Sequence, residues 1–188
     1  VATKYTLHGK NVVHMTSGAD ELHFFYDAQN RPAVVVYNGT AYAYVKNLQG
    51  DVIAILDAAG NVVVSYVYDA WGAPIGKSGS MAETLGTVQP FRYRGYVFDE
   101  ETGLYYLRSR YYSAERSRFV NADDCFSEKN LYCYCINAPV ERCDPSGHEY
   151  LCIAMYRVAL NNTDADSVID LEDIGLKQTM SNRLIDSG

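Results

Sequence analysis

Polar and apolar residues alternate with a period of two along much of residues 1–124. The apolar stretches are short, and clusters of Gly, Asn, Asp and Ser separate them. Period-two alternation is typical of β-strands, and these residue types are typical of the turns between strands. The pattern predicts extended segments at residues 4–7, 12–15, 22–26, 33–37, 41–45, 52–56 and 62–68.

Two local signals predict hairpins in this region. Asn38-Gly39 separates two β-rich runs, and this dipeptide favours a tight turn with positive φ at both central residues. A longer motif recurs, because Tyr26-Asp27-Ala28 with a proline four residues later returns as Tyr68-Asp69-Ala70. An Asp in this position can accept bonds from nearby backbone amides, while Tyr packs across strands. The repeat predicts supersecondary units that stack on their neighbours.

The alternation stops at residues 76–88, which are predicted to form a loop between the hairpins and the next segment. Within this loop we expect a short helix at Met81–Leu85. Ser80 would be its N-cap, because a serine hydroxyl can accept a bond from an unpaired amide of the first turn.

Alternation resumes in residues 90–124, where aromatic residues are unusually frequent. An extended run is predicted before an acidic turn at 99–103, a second at 104–112 and a third at 118–120. Aromatic and β-branched residues suit a pleated surface, and cross-strand aromatic pairs each add about 0.2–1 kcal/mol.

The run from Tyr93 to Asp124, YRGYVFDEETGLYYLRSRYYSAERSRFVNADD, resembles the RHS-repeat-associated core, the C-terminal signature of RHS/YD-repeat proteins. Residues 130–147 resemble the end of the same core, and the Tyr-Asp dipeptides resemble the YD repeats. The resemblance implies a mainly β fold, in which stacked antiparallel hairpins form a spiral sheet that closes as a hollow shell. It also implies three parts: YD-type hairpin repeats at 1–89, the core at 90–148 and a variable, short helical tail at 149–188.

The resemblance implies a structural function. The chain would be a shell or plug segment that encapsulates a C-terminal effector of a bacterial toxin system. Its partners would be the rest of the shell and the effector, in a secreted or cell-surface protein of interbacterial competition. Open sheet edges would allow self-association. An alternative of another class is a cell-surface module that binds carbohydrate or protein on exposed tyrosine faces.

The resemblance further implies aspartic self-cleavage, a single turnover on the protein's own chain. Family members use one aspartate after the Arg-Phe strand and another in an Asp-Pro-x-Gly motif, which match Asp123 or its neighbour Asp124, and Asp144. Two adjacent carboxylates cannot both ionise, so one activates water and the protonated one polarises the carbonyl. The cut would fall between His148 and Glu149. The family's Pro-Asp-Pro is replaced by two adjacent aspartates, which leaves open which of them takes part.

Charge and composition narrow the function classes. The net charge is −7, and without a basic surface to neutralise phosphates no nucleic-acid partner is expected. The sequence holds no run of 18 apolar residues, so no membrane-spanning helix is expected.

The chain begins at Val1 without a methionine, and we expect it to be part of a longer protein. Arginines lie among acidic residues and are predicted to form paired charges on a solvent face, namely Arg108, Arg110, Arg116 and Arg118.

The chain has five cysteines, and this odd number does not suit a disulfide framework. Zinc sites use wider, paired ligand spacing. The cysteines are therefore predicted to be thiols that pack in the core as small apolar groups.

The tail is predicted to contain helices around 150–160 and 171–184. Between them lies a stretch that resembles one calcium loop of the dockerin or EF-hand type. Its oxygen ligands for Ca²⁺ would be Asn162, Asp164, Asp166, Asp170 and Asp173. Ser167 replaces the usual turn glycine. The alternative is a helix N-terminus, where the helix dipole favours acidic residues.

Overall fold

Antiparallel strands dominate the part of the chain that the structure, a computed structural model, describes: residues 2–124, 130–148 and 150–152. The strands form an eight-stranded sheet, a four-stranded sheet and a two-stranded ladder. The predicted mainly β class is therefore confirmed. The first sheet consists of β1 (Thr3–His8), β2 (Asn11–Ser17), β3 (Asp20–Tyr26), β4 (Pro32–Tyr37), β5 (Thr40–Lys46), β6 (Val52–Leu56), β7 (Val62–Tyr68) and β8 (Pro74–Ser78).

The eight-stranded sheet is a meander in which each strand pairs with the next one along the chain. Its first seven strands are those that the alternation predicts. Strand β8 is a correction, because its second half falls in the segment predicted to be a loop. Pro74 and Gly76 are weak strand formers, but pairing of Lys77 with Tyr66 of β7 supplies the backbone bonds that make this segment a strand.

Four connections of the sheet share one turn of five residues, which begins at Asp27, Asn47, Asp57 or Asp69. In each turn the Oδ1 atom of the first residue accepts bonds from the amides two and four residues later. The first amide also donates to the fifth carbonyl, at 2.9–3.0 Å. The predicted role of Asp in the Tyr-Asp repeat is thus confirmed, and Asn47 fills it equally well.

The Asn38-Gly39 hairpin is also confirmed, with φ values of 48° and 83° between β4 and β5. The tyrosine of each Tyr-Asp pair ties its strand to the preceding one. The Tyr26 hydroxyl donates to the carbonyl of Val12 at 2.7 Å, and the Tyr68 hydroxyl donates to the carbonyl of Val52 at 2.9 Å.

The segment after β8 crosses one face of the sheet. Its helix, α1, spans Leu85–Val88 and has no side-chain cap, so the prediction of a helix at Met81–Leu85 capped by Ser80 is wrong. The Met81 amide donates instead to the carbonyl of Val63 in β7, and helical geometry starts only after this anchor. Phe91 then packs its edge against Phe24 in the main apolar core, at a centroid distance of 5.0 Å.

The second sheet has the order β12–β11–β10–β9 and comprises β9 (Val97–Asp99), β10 (Leu104–Tyr106), β11 (Tyr111–Ser113) and β12 (Arg118–Phe119). The predicted continuous run at 104–112 is wrong, because the chain reverses between β10 and β11. Arg108 has a φ of 68° in this turn. Two 3-10 turns flank the sheet in the chain, at Tyr93–Gly95 and Cys135–Asn137.

Tyrosines build a second core between this sheet and the last turn of the meander. Three of their hydroxyls donate to consecutive carbonyls of the 69–73 turn: Tyr93 to Ala70, Tyr112 to Trp71 and Tyr105 to Gly72, at 2.7–2.9 Å. The tyrosine-rich core consists of Tyr93, Tyr96, Tyr105, Leu107, Tyr112, Ala114, Phe119, Tyr134 and Cys135.

The described chain ends in a ladder of β13 (Arg142–Cys143) and β14 (Leu151–Cys152). Residues 151 and 152, part of the stretch predicted to be helical, are therefore strand. Cys135 and Cys143 are buried free thiols, as predicted, while Cys133 and Cys152 are half-buried. The described residues belong to a single compact unit. The remaining predicted helices, the calcium loop and Cys125 lie outside the described residues.

Candidate functional site

Three segments that are distant in sequence bring the candidate carboxylates together. Asp123 follows β12, Asp144 follows β13, and Arg110 lies at the end of the turn between β10 and β11. Both carboxylates are buried, with relative exposures of 8% for Asp123 and 2% for Asp144. The two predicted site residues thus lie within one buried cluster.

Arg110 is the centre of this cluster. Its Nη2 atom lies 3.0 Å from Asp123 Oδ2 and 3.6 Å from Asp144 Oδ2. Its Nε atom donates to the carbonyl of Gly147, and its guanidinium carbon lies 3.7 Å from the centre of the Phe119 ring. The guanidinium therefore compensates the carboxylates and holds the backbone just before the predicted cut.

Asp144 is bound by the backbone that follows it. Its Oδ1 atom accepts bonds from the amides of Ser146 at 3.2 Å and Gly147 at 2.7 Å, which close the Asp-Pro-Ser-Gly turn. Burial raises the pKa of Asp144 above its usual value, while the Gly147 amide and Arg110 act in the opposite direction. Burial thus favours the protonated carboxyl, which is the form that can donate to a carbonyl oxygen.

The tyrosine-rich core also contacts Asp144. The Asp144 amide donates to the Tyr96 hydroxyl at 2.9 Å, and that hydroxyl lies 3.2 Å from the hydroxyl of Tyr134. Because all three groups are buried, these bonds fix the start of the Asp-Pro-Ser-Gly turn against the core.

Gly147 lies where no side chain fits. Its φ is 78°, and a Cβ atom would come within 2.5 Å of Ser109 Oγ and 2.6 Å of the Leu107 carbonyl oxygen. The turn between β10 and β11 therefore packs directly on the Asp-Pro-Ser-Gly backbone, and Ser109 Oγ donates to the Ser146 carbonyl at 2.8 Å.

His148 stands at the rim of the cluster. Its Nδ1 atom lies 3.4 Å from Asp123 Oδ1 and 3.1 Å from Asp124 Oδ1. The Asp124 side chain is 79% exposed, so Asp123 is the aspartate that lies beside Arg110 and Asp144. His148, Asp123 and Asp124 offer ligand atoms within 4.8 Å of one another and could also hold a cation. Glu149 lies outside the described residues.

The family resemblance pointed to Asp144 and to Asp123 or Asp124, and it missed Arg110. The prediction that this arginine belongs to a paired solvent face is wrong, because its side chain is buried between the carboxylates. Arg108, Arg116 and Arg118 are exposed, as predicted. A cue was available: two carboxylates predicted to lie together in a core call for a cation beside them, and an arginine in an aromatic-rich stretch is a natural candidate.

A family model supports this architecture. The model described as Teneurin YD-shell matches residues 12–145, which include β3 to β13 and the three buried charges. The chain belongs to the Teneurin YD-shell family. As a YD-shell segment it is a structural β-hairpin element, consistent with the RHS/YD resemblance of its sequence.

Relatives of the YD-shell segment include a nuclease and a toxin. It is 38% identical over 148 residues to the tRNA3(Ser)-specific nuclease WapA of Bacillus spizizenii, a match that covers 73% of this chain and 6% of WapA. It is 44% identical over 61 residues to Toxin protein Tse5 of Pseudomonas aeruginosa, covering 31% of this chain and 5% of Tse5. The YD-shell segment thus corresponds to about a twentieth of each of these relatives.

Solved structures show the same fold. The crystal structure of TcdB2-TccC3 aligns with 77% of this chain and 7% of that one, at a TM-score of 0.60 and 23% identity. The structure of TcdB2-TccC3-Cdc42 gives a TM-score of 0.62 over 78% of this chain and 8% of that one, at 22% identity. Within the described residues, no helix has the length and hydropathy needed to cross a membrane.

Proposed function

We propose that this chain is a segment of the wall of a larger shell that encloses a C-terminal effector. The observation that carries the proposal is the eight-stranded meander, whose consecutive hairpins form a wall and leave β1 and β8 as edges. A meander with two open edges is a piece of a larger sheet or a surface for self-association. The nuclease WapA and the toxin Tse5, of which the chain matches only a small part, support the first alternative.

In this proposal the tyrosine-rich core closes the wall near the end of the shell. Three hydroxyls bind the last repeat turn, and the Asp51–Arg94 pair joins an earlier turn to the same core. The chain downstream of Gly147 then leads to the enclosed effector. Such a protein acts outside the cell that makes it, secreted or at the cell surface.

Protection from protease tests the proposed enclosure. The experiment uses the polypeptide that contains the complete shell. The downstream region should resist added protease while the shell is intact, and it should be digested when Gly72→Ala loosens the wall. The equivalent Gly60→Ala variant, whose new methyl group meets open space, should stay protected. Equal digestion of the downstream region in all three proteins would contradict enclosure.

We infer that the buried cluster carries out aspartic self-cleavage between His148 and Glu149. Asp123 takes a proton from water, whose oxygen attacks the His148 carbonyl carbon, while protonated Asp144 donates to the carbonyl oxygen. The C–N bond then breaks: the nitrogen of Glu149 takes the proton that Asp123 holds and leaves as an amine. The hydroxyl that Asp144 protonated returns its proton to Asp144, and His148 ends in a carboxylic acid. The contact of Arg110 with both aspartates and with the Gly147 carbonyl favours this proposal.

Intact mass tests the reaction without a substrate. The unchanged chain should separate under denaturing conditions into pieces of 1–148 and 149–188, whereas Asp123→Asn and Asp144→Asn should stay whole. Asp124→Asn is the matched control, because this neighbouring aspartate is exposed, and it should be cut normally. If the unchanged chain keeps its full-length mass, the self-cleavage proposal is refuted, whereas the proposed shell role is unaffected.

Three further expectations stay predictions. Recognition of carbohydrate would use exposed rings such as Tyr106 and Tyr111, whose centroids lie 5.2 Å apart. A glycan array with both residues changed to alanine tests this. Calorimetry with Ca²⁺ tests the loop at 162–173, and the mass of the native particle tests self-association.

A further inference from the structure

Three metal-binding side chains converge on the face of the eight-stranded sheet opposite its apolar core. His14 on β2 pairs directly with His23 on β3, and Glu21 lies two residues before His23 on the same face. The intervening partners Met15 and Leu22 are buried in the core on the other face. The trio therefore faces away from the core.

The register of the hairpin produces this convergence. Strands β2 and β3 are joined by a two-residue turn at Gly18-Ala19, and Ser17 pairs with Asp20 beside it. Directly opposed and diagonal residues of an antiparallel pair lie within reach of long side chains. The short turn thus places two imidazoles and one carboxylate together without help from other elements.

A single carboxylate oxygen lies between the two imidazoles. Glu21 Oε1 is 3.1 Å from His14 Nε2 and 3.3 Å from His23 Nε2, and the three ligand atoms lie within 4.8 Å of one another. A tetrahedral zinc ion with bonds of about 2.0–2.1 Å separates its ligand atoms by roughly 3.3 Å. Two of the three separations already have this length, and a small ring rotation can adjust the third.

The rings are also held in orientation. Their centroids are 4.5 Å apart with a tilt of 32°, and Thr6 Oγ1 on β1 lies 3.5 Å from His14 Nδ1. In metal sites the second nitrogen of a ligating histidine usually has such a partner, which orients the ring. His23 and Glu21 are about half exposed, with 48% and 57% of their side-chain surfaces accessible. One side is therefore open to water as a fourth ligand.

We propose that His14, Glu21 and His23 form a surface site for Zn²⁺ that clamps β2 to β3 near the first edge of the sheet. Two histidines and one glutamate with an open fourth position are a known ligand set of zinc. Ion pairs from Glu21 to both histidines are the competing explanation, and they predict no zinc-dependent change in stability. The ion bonds to Nε2 of both rings and to Glu21 Oε1.

Titration calorimetry with Zn²⁺ under reducing conditions tests the site, and absorption of Co²⁺ in its place reports the coordination. His23→Ala should weaken binding by about 100-fold or more, since even loss of an outer partner costs about 10–100-fold. Glu21→Gln should weaken it in the same direction and keeps the side-chain shape. Circular dichroism shows that each variant is folded.

The chain offers a matched control in His8, a histidine outside both groups of possible metal ligands. His8→Ala should bind zinc as the unchanged chain does. The melting temperature should rise by about 5–10 °C at zinc about 100-fold above Kd in these proteins, and not in His23→Ala. The absence of zinc binding by the unchanged chain, or equal binding by His23→Ala, would overturn the proposal.

Discussion

The carboxylate of Asp51 and the guanidinium of Arg94 form a buried ion pair, with Oδ1 and Nη1 2.9 Å apart and side-chain exposures of 7% and 2%. The Arg94 amide donates to the same Oδ1 atom at 2.9 Å, and Nη2 donates to the Pro139 carbonyl at 2.6 Å. One pair therefore joins a repeat turn, the 3-10 turn after α1 and the segment before β13.

The first prediction concerns this pair. Asp51→Ala should lower the free energy of unfolding by about 3–5 kcal/mol, because it leaves a buried guanidinium without its partner. The measurement is urea unfolding followed by circular dichroism. Glu83→Gln is the control, since Glu83 lies 3.8 Å from Lys77 with 85% of its side chain exposed. That variant should change stability by less than about 0.5 kcal/mol, and equal effects of the two variants would refute the assignment.

The second prediction separates a tight contact from backbone strain. Gly72 and Gly60 occupy the same position in two repeat turns, with φ values of 92° and 84°. A Cβ at Gly72 would lie 2.5 Å from Tyr93 Cδ1, whereas one at Gly60 meets nothing within 4 Å. Both alanine variants should lose about 1–2 kcal/mol from the left-handed backbone, and Gly72→Ala about 1–3 kcal/mol more from overpacking. Thermal unfolding measures the difference, and equal losses would contradict the Tyr93 contact.

The third prediction concerns the hydroxyls that bind the last repeat turn. Tyr105→Phe and Tyr112→Phe should each cost about 1–3 kcal/mol, because the buried carbonyl of Gly72 or the partly buried carbonyl of Trp71 loses its donor while the ring stays. Tyr106→Phe, at an exposed position of the same sheet, is the control and should be close to neutral. Denaturant midpoints measure these changes. Neutral buried variants would mean that the ring alone stabilises the core.

The fourth prediction is a pH dependence that comes from Asp144. Its pKa is raised in the folded chain, so the folded state holds the proton more tightly than the unfolded state does. Its contribution to stability must therefore fall as pH rises from the unfolded-state pKa, about 3.9, to the higher folded-state value. Asp144→Asn lacks this decline. Urea unfolding over this pH range measures the decline, with both proteins compared as chains of the same length. Parallel curves of stability against pH would exclude a raised pKa of Asp144.

Local chemistry explains why the repeat region could be predicted from the sequence. The Oδ1 atoms of Asp27 and Asp69 accept bonds from amides within their own five-residue turns, and Asn38-Gly39 supplies its own positive φ values. No distant contact is required for these features. Strand β8 was not predicted, because it is extended through its pairing with β7 and not through its own composition.

Non-local contacts explain what the sequence pattern missed at the site. The run 104–112 alternates like a single strand and would place Arg108 and Arg110 on the same face. The reversal at Arg108 instead turns Arg110 into the core, where its Nε atom binds the carbonyl of Gly147, 37 residues later. Alternation over a short window contains no information about a partner so far along the chain.

The self-closed repeat turns have a consequence for how such proteins change in length. The side chain of the first residue in each turn accepts bonds from that turn's own amides. A two-stranded hairpin can therefore be duplicated or deleted in the gene without compensating substitutions in the neighbouring hairpins. The 47–51 and 69–73 turns are the exceptions, because Arg94 binds Asp51 of the first and three tyrosine hydroxyls from the following segment bind the second. Growth and shrinkage of the wall should therefore occur upstream of residue 47, while the part after it is inherited as one piece.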